Sequence, residues 1–376
     1  MEFNYYLPVN IVFGRGKVNT LGEATKKYGK KALIVTGSGS TKKSGLLDRV
    51  TKLLIDAGIE TVLYDKVMQN PLTTTAEEGA DCARANGCDV VVGVGGGSVM
   101  DCSKGIAFLA ENDGNINDYI FNIKTSDKAL PIILVPTTCG TGSEGNGFAV
   151  LTNPENSDKK SLRCNAIIPK VSIVDSTLME TMPKSVLAAV GFDALCHNME
   201  AYLSKIAQPF TDILTVSAMK LINESLVRLY EGESNPELWD KLSLASTIGG
   251  MVINTAGVTV AHGMEHPASG LKDLVHAKGL AALTPVIMEK TAEKVQDKCS
   301  VISQSIGGKD YTDVTETIVA LLNKLNMRVG LGEQGISKGD IPWMVENYFK
   351  ISIAGHNNHP VTFTKEEIAE IYEKSI

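Results

Sequence analysis

Between residues 31 and 175 the chain returns five times to a short run of Val, Ile and Leu, with stretches of helical periodicity between the runs. No other feature restricts the fold as much. Lys31-Ala-Leu-Ile-Val-Thr-Gly37, Thr61-Val-Leu-Tyr64, Asp89-Val-Val-Val-Gly-Val-Gly-Gly-Gly-Ser98, Pro131-Ile-Ile-Leu-Val-Pro136 and Val171-Ser-Ile-Val-Asp175 read as strands, and residues 44–57 and 73–86 as helices. A strand with one wet face alternates apolar and polar side chains. These runs do not alternate, so both faces are covered, as in a parallel sheet wrapped by helices. After Met182-Pro183 the pattern turns helical, broken by Ser, Thr, Gly and Pro, and Thr364-Lys-Glu-Glu367 fits a capping box ahead of the last helix. The expected architecture is an α/β domain over residues 1–181 and an all-α domain over residues 182–376.

A chain of 376 residues buries enough surface for two domains without staples. Its seven cysteines include no Cys-x-x-Cys pair and are odd in number, which suits free thiols in a reducing cytoplasm. The start, Met-Glu-Phe-Asn-Tyr-Tyr-Leu-Pro, lacks the pattern of a signal peptide, and no run of eighteen apolar residues occurs. A cytoplasmic protein with no membrane partner is expected. The net charge of −7 argues against nucleic acid as a partner, since phosphate-backbone binders carry a basic face.

Two loops at strand exits carry ligand-binding chemistry. Gly95-Gly96-Gly97-Ser98 lies between a strand and a helical pattern, where missing Cβ atoms and free N–H groups suit a pyrophosphate. A tight turn without ligand fits the same three glycines. Asp101, three residues after Ser98, reads either as a helix N3 acid or as a contact to ribose or the nicotinamide amide. Pro136-Thr-Thr-Cys-Gly-Thr-Gly-Ser-Glu144 leaves the next strand, so both loops open on one crevice at the carboxyl edge of the sheet. A Gly-x-Gly-x-x-Gly fingerprint is absent after the first strand, where Thr36-Gly-Ser-Gly-Ser-Thr-Lys-Lys43 stands instead. With Gly37, Ser38, Gly39 and Ser40 beside the adenosine ribose, no acid in this segment repels a 2′-phosphate, and Lys42 or Lys43 meets it. NADP is therefore preferred over NAD, the alternative being a solvated basic helix start.

Three of the chain's six histidines, His262, His266 and His276, fall within fifteen positions. His262 and His266 are four apart, on one helical face, and Pro267 predicts a helix end near His266. His276 then opens a new helical run about ten residues on. Asp193 and His197, also four apart, form a second converging pair. One carboxylate and three imidazoles make an open first shell for a catalytic cation, and spacing leaves open which histidine stands outside it. His356 and His359 read as a surface loop rather than a second metal site.

In order along the chain, Gly-Gly-Gly-Ser-x-x-Asp (95–101), Pro-Thr-Thr-x-Gly-Thr-Gly-Ser-Glu (136–144), Gly-x-Asp-Ala-Leu-x-His-x-x-Glu-Ala-Tyr (191–202) and His-Gly-x-x-His-Pro with a later His resemble the iron-containing, or type III, alcohol dehydrogenases. The resemblance implies a Rossmann-like dinucleotide-binding domain plus a helical one, in a dehydroquinate synthase-like architecture. It implies that Asp193, His197, His262 and His276 bind the metal, with His266 beside the nicotinamide as the catalytic proton relay. Gly96, Gly97 and Ser98 would hold the pyrophosphate, Thr137, Thr138 and Thr141 would line the crevice, and Asn70 and Lys160 would approach the nucleotide.

The implied activity is a metal-dependent, NAD(P)-linked interconversion of primary alcohols and aldehydes by hydride transfer. Fe²⁺ is the metal favoured by the family name, while Zn²⁺ or Ni²⁺ suits the same donors. His266 at an ordinary histidine pKa would suit the relay. A homo-oligomer, dimer or larger, is the family habit, and the partner is a small alcohol or aldehyde. The alternatives are a zinc-dependent polyol dehydrogenase of the glycerol type, a dehydroquinate synthase-like lyase and a sensor without chemistry. The lyase is disfavoured because the helical half lacks basic residues near the ligand motifs. This chain departs from the family twice: Gly145-Asn-Gly-Phe148 replaces Val-Thr after Glu144, and Ala277 follows His276 where glycine is common.

Overall fold

The structure, a computed structural model, describes residues 2–376. Six strands, β1 (Asn10–Phe13), β2 (Lys31–Gly37), β3 (Glu60–Val67), β4 (Val90–Gly95), β5 (Ile132–Pro136) and β8 (Val171–Val174), form one parallel sheet in the order β1-β8-β5-β4-β2-β3. Alternate residues of the apolar runs enter opposite layers. Leu33, Val35, Val91 and Leu134 pack with Ala76, Ala80 and Ile106 on one face. Ala32, Ile34, Val92 and Ile133 pack with Leu47, Val50 and Leu54 on the other. Both faces are covered at β2, β4 and β5, which is why those runs do not alternate, whereas β3, at the sheet edge, leaves Leu63 exposed. The predicted helix over 73–86 is Thr73–Asn86, and the predicted 44–57 helix is Leu46–Asp56 after a single turn at Ser40–Lys43.

An antiparallel hairpin, β6 (Phe148–Thr152) with β7 (Lys159–Arg163), stands apart from the main sheet. The sequence reading did not find it, nor β1. From Lys184 onward the chain is helical, with no strand among the described residues. The Thr364 capping box forms, its hydroxyl accepting from the Glu367 amide at 3.2 Å. All seven cysteines are unpaired. Among the described residues no single helix is long and apolar enough to cross a membrane.

Three expectations in the helical half are corrected. Pro267 lies inside the helix Val260–Lys272 instead of ending one near His266. Proline removes the N–H that would reach the Gly263 carbonyl, and the Ser352 hydroxyl donates to that carbonyl at 2.9 Å instead. The break before the His276–Ala292 helix is consequently three residues, Asp273 to Val275, turned by Asp273 in the left-handed region (φ 51°). His356 and His359 are buried, not on a surface loop: His356 lies in the helix Ile353–Asn358, 2.9 Å from the Tyr348 hydroxyl, and His359 is 3.1 Å from the Thr291 hydroxyl.

Candidate metal centre and nucleotide crevice

Sheet order places the exits of β2, β4 and β5 side by side, so the segments 37–42, 96–98 and 137–141 share one edge. The helix Gly97–Ala110 starts there with Gly96 as its N-cap, aiming its first N–H groups into the crevice. The glycines also let the two loops touch: a Cβ on Gly96 would meet the Thr138 hydroxyl oxygen at 3.0 Å, and one on Gly97 would meet Thr141 Cγ2 at 2.3 Å. Asp101 is not an N3 acid, because the helix begins at Gly97. Its buried carboxylate accepts from the Ser143 hydroxyl at 2.6 Å and the Val150 amide at 3.0 Å, which braces the threonine loop and the hairpin.

Asn70 lines the cleft (φ 47°) and ties this edge to the helical half, donating to Asp273 at 2.6 Å and to the Leu274 carbonyl at 3.1 Å. Lys160 does not enter the cleft. Neighbours on a strand point to opposite faces, so Lys159 lines the metal cleft and lies 3.4 Å from Glu265, while the Lys160 ammonium donates to the Ile351 carbonyl at 2.7 Å. Lys42 is exposed and pairs with Asp65 of β3, an acid that sequence spacing did not bring to this loop.

The metal candidates come from three helices. Lys184–Leu203 carries Asp193 and His197 one turn apart, Val260–Lys272 carries His262, and His276 opens its own helix. Asp193 Oδ1 lies 3.6 Å from His197 Nδ1, 3.5 Å from His262 Nε2 and 3.6 Å from His276 Nε2. Two donors each about 2.1 Å from a tetrahedral cation stand about 3.4 Å apart, so these spacings fit one. Donor atoms of Asp193, His262 and His276 all lie within 4.8 Å of one another; His197 falls outside that set but faces the same carboxylate oxygen. Asp193 Oδ1, His262 Nε2 and His197 Nδ1 are buried without a hydrogen bond among the described residues. Such orphaned groups are costly unless something binds them, and a divalent cation satisfies all three.

Two carboxylates that the sequence reading gave no role stand behind the imidazoles. Glu200 meets His262 Nδ1 and accepts from the Thr259 amide at 2.7 Å and its hydroxyl at 3.0 Å. Glu265 meets His276 Nδ1 and is also held by Ser269 and Lys159. Burial disfavours the charge on Asp193, yet His197, His262 and His276 hold it well below the carboxylate range. Burial likewise opposes the His262 cation, but Glu200 and Asp193 carry it up to about 10. The basin is therefore built for positive charge.

His266 is half-buried, and desolvation, reinforced by the Lys159 ammonium, holds it well below the ordinary histidine range. The expectation of an ordinary pKa is thus corrected: the ring is neutral. It lines the same cleft as Gly97, Ser98, Thr141 and the three metal-facing histidines, so the two halves of the chain meet there. Of the family departures, Asn146 takes part in a buried knot, its Oδ1 accepting from Lys104 at 3.0 Å, and Phe148 forms part of the cleft wall.

Comparison with known proteins supplies the family. Residues 8–176 match the family described as iron-containing alcohol dehydrogenase, and residues 187–376 match its C-terminal family. The 1,3-propanediol dehydrogenase of Klebsiella pneumoniae is 35% identical over 99% of this chain and 98% of its own. The NADPH-dependent butanol dehydrogenase of Clostridium saccharobutylicum is 30% identical over 98% of this chain and 97% of its own. An archaeal halo-thermophilic alcohol dehydrogenase from a Red Sea brine pool superimposes with a TM-score of 0.96 at 36% identity, over 100% of this chain and 99% of that one. These relatives lend no support to a glycerol-type zinc enzyme. The chain belongs to the iron-containing alcohol dehydrogenase family, NAD(P)-dependent oxidoreductases acting on CH–OH groups.

Proposed function

We propose that Asp193, His197, His262 and His276 hold one Fe²⁺ ion, and that the chain uses it to interconvert a primary alcohol and its aldehyde with NADP(H). The carrying observation is the convergence of one ring nitrogen from each of three imidazoles on one buried carboxylate oxygen at the rim of a glycine crevice. When bound, the cation supplies Lewis acidity at the substrate oxygen and the nicotinamide supplies the hydride. The amides at Gly96, Gly97 and Ser98 hold the pyrophosphate, Thr137, Thr138 and Thr141 wall the crevice, and Asn70 closes its rim. His266 takes the hydroxyl proton as a neutral ring during oxidation, and as the protonated ring gives it to the carbonyl oxygen during reduction. Domains over 1–181 and 182–376 and a homo-oligomeric state belong to the same proposal.

For the nucleotide, Gly37, Ser38, Gly39 and Ser40 face the adenosine ribose and Lys42 meets the 2′-phosphate, which competes with Asp65 for the ammonium. Asp65 also favours a second reading, in which it accepts from the 2′-OH of NADH.

Both questions fall to one assay, NADPH or NADH consumption with butyraldehyde under anaerobic Fe²⁺ loading. Turnover that chelation abolishes is expected, with NADPH preferred and the preference reduced at least tenfold by Lys42→Ala. Absence of turnover with either nucleotide over short and long aldehydes overturns the dehydrogenase reading. A wild-type preference for NADH overturns the assignment of Lys42.

A further inference from the structure

His266 lines two cavities. One is the metal cleft; the other, of about 140 Å³, is also lined by Lys160, Arg163, Asn122, Ser161 and Thr259. No carboxylate lines this second cavity, although the chain as a whole carries a net charge of −7. An acidic protein has gathered two cations on one polar hollow beside its candidate reaction centre.

Strand register explains the place of Arg163. Arg163 closes β7 directly across from Phe148 at the start of β6, and its guanidinium carbon lies 4.5 Å from the centroid of the Phe148 ring. That ring lines the metal cleft, so Arg163 packs on a wall residue of that cleft. Arg163 is exposed, and among the described residues no carboxylate pairs with it. Lys160 gives one proton to the Ile351 carbonyl, and an ammonium has three.

Burial first and the charge of Arg163 second lower the Lys160 pKa. The one acid acting on Lys160, Asp158, is already engaged by Lys350 at 2.6 Å and by Asn347 at 2.7 Å. Two cations facing one cavity without a counter-ion repel each other, and an incoming oxoanion relieves that repulsion. A guanidinium is suited to such a group, since its fork grips two oxygens at once.

We infer that the substrate carries an oxoanion at the end of a short chain, a carboxylate, sulfonate or phosphonate, which Arg163 and Lys160 bind while the alcohol or aldehyde carbon lies in the metal cleft. This rests on the dehydrogenase reading above. In the reductive direction hydride passes from the nicotinamide to the aldehyde carbon and a proton to its oxygen. The anionic tail is unchanged, so the two cations act by orienting and retaining the substrate.

The test compares butyraldehyde with succinic semialdehyde, sulfoacetaldehyde and phosphonoacetaldehyde on the Fe²⁺-loaded enzyme. At least one anionic aldehyde is expected to exceed butyraldehyde at least tenfold in kcat/KM, and the three arms distinguish the oxoanions. Arg163→Met and Lys160→Met should each reduce that ratio at least tenfold, chiefly through KM, with Arg163→Lys between them and wild type. Competitive inhibition of the unaltered protein by butyrate, ethanesulfonate or ethylphosphonate, but not by butyramide, supplies a measurement that needs no variant.

Turnover of butyraldehyde with no anionic aldehyde favoured, ratios unmoved in both variants, or no competition by any of the three anions overturns the inference and leaves the dehydrogenase reading standing. Failure to reduce any aldehyde, charged or uncharged, overturns both.

Discussion

Behind each of two candidate ligands stands a buried carboxylate, Glu200 for His262 and Glu265 for His276. Each fixes the ring's tautomer by accepting a hydrogen bond from Nδ1–H, so that Nε2 faces Asp193 with a lone pair. Glu200→Gln and Glu265→Gln are expected to weaken Fe²⁺ or Zn²⁺ binding about 10- to 100-fold in competition with a chromogenic chelator; unchanged affinity would show that packing alone orients the imidazoles.

Lys104 is a further buried charge that spacing did not flag. Its ammonium donates to the Ser143 carbonyl and hydroxyl at 2.6 and 2.7 Å, to Asn146 at 3.0 Å and to the Phe148 carbonyl at 2.7 Å. Burial nevertheless lowers its pKa to about 8. The unfolded chain, with an ordinary lysine pKa of about 10.4, then binds more protons than the native one between those values. Its contribution to stability therefore rises with pH across that window and is flat below about 8. Urea denaturation at pH 7.5 and 10 should show a wild-type gain over Lys104→Met of about 2 kcal/mol; identical pH dependence in both proteins contradicts a depressed Lys104.

Side chains one turn apart on a helix were readable as pairs, which is why Asp193, His197 and His262 could be named. Glu200 and Glu265 were not, because their partners are set by how helices pack. Lys159 and Lys160 are adjacent in sequence and opposite in space, a distinction invisible until the hairpin is known.

At the scale of elements, the helix Val260–Lys272 presents both His262 and His266 while running through Pro267. The local rule predicted a break, and locally it is sound; a hydroxyl from a segment 89 positions away supplies what proline removed. Ser352→Ala is expected to destabilise the protein by about 1–3 kcal/mol by stranding the Gly263 carbonyl. Pro267→Ala, which restores an N–H to that carbonyl, should recover part of the loss in the double variant. Additive effects of the two substitutions in urea denaturation would refute the compensation.

The continuous strands were legible because burial on both faces leaves one residue class along the whole run. The hairpin was not: Lys159-Lys-Ser-Leu-Arg163 is polar at most positions, since Lys159 lines the metal cleft and Lys160, Ser161 and Arg163 line the second cavity.

On the scale of the whole molecule, the cleft takes Gly97, Ser98 and Thr141 from the first half and His197, His262, His266 and His276 from the second. The candidate metal donors all lie in the second half, whereas the proposed nucleotide contacts lie in the first, with His266 reaching the nicotinamide from the second. A cation that binds only the folded form stabilises it by about 2.7 kcal/mol at a free concentration one hundred times its Kd. Confined to a unit of roughly 200 residues, that shift raises its melting temperature by about 5–10 °C. With domains over 1–181 and 182–376, calorimetry of chelator-treated protein should resolve two transitions. Added metal should move only the one belonging to the helical half, and NADPH should move both. A single transition that metal displaces as a whole would mean that the two halves unfold together and that the boundary near residue 181 has no thermodynamic content. No displacement by metal at all would mean that the orphaned atoms of Asp193, His197 and His262 await something other than a cation.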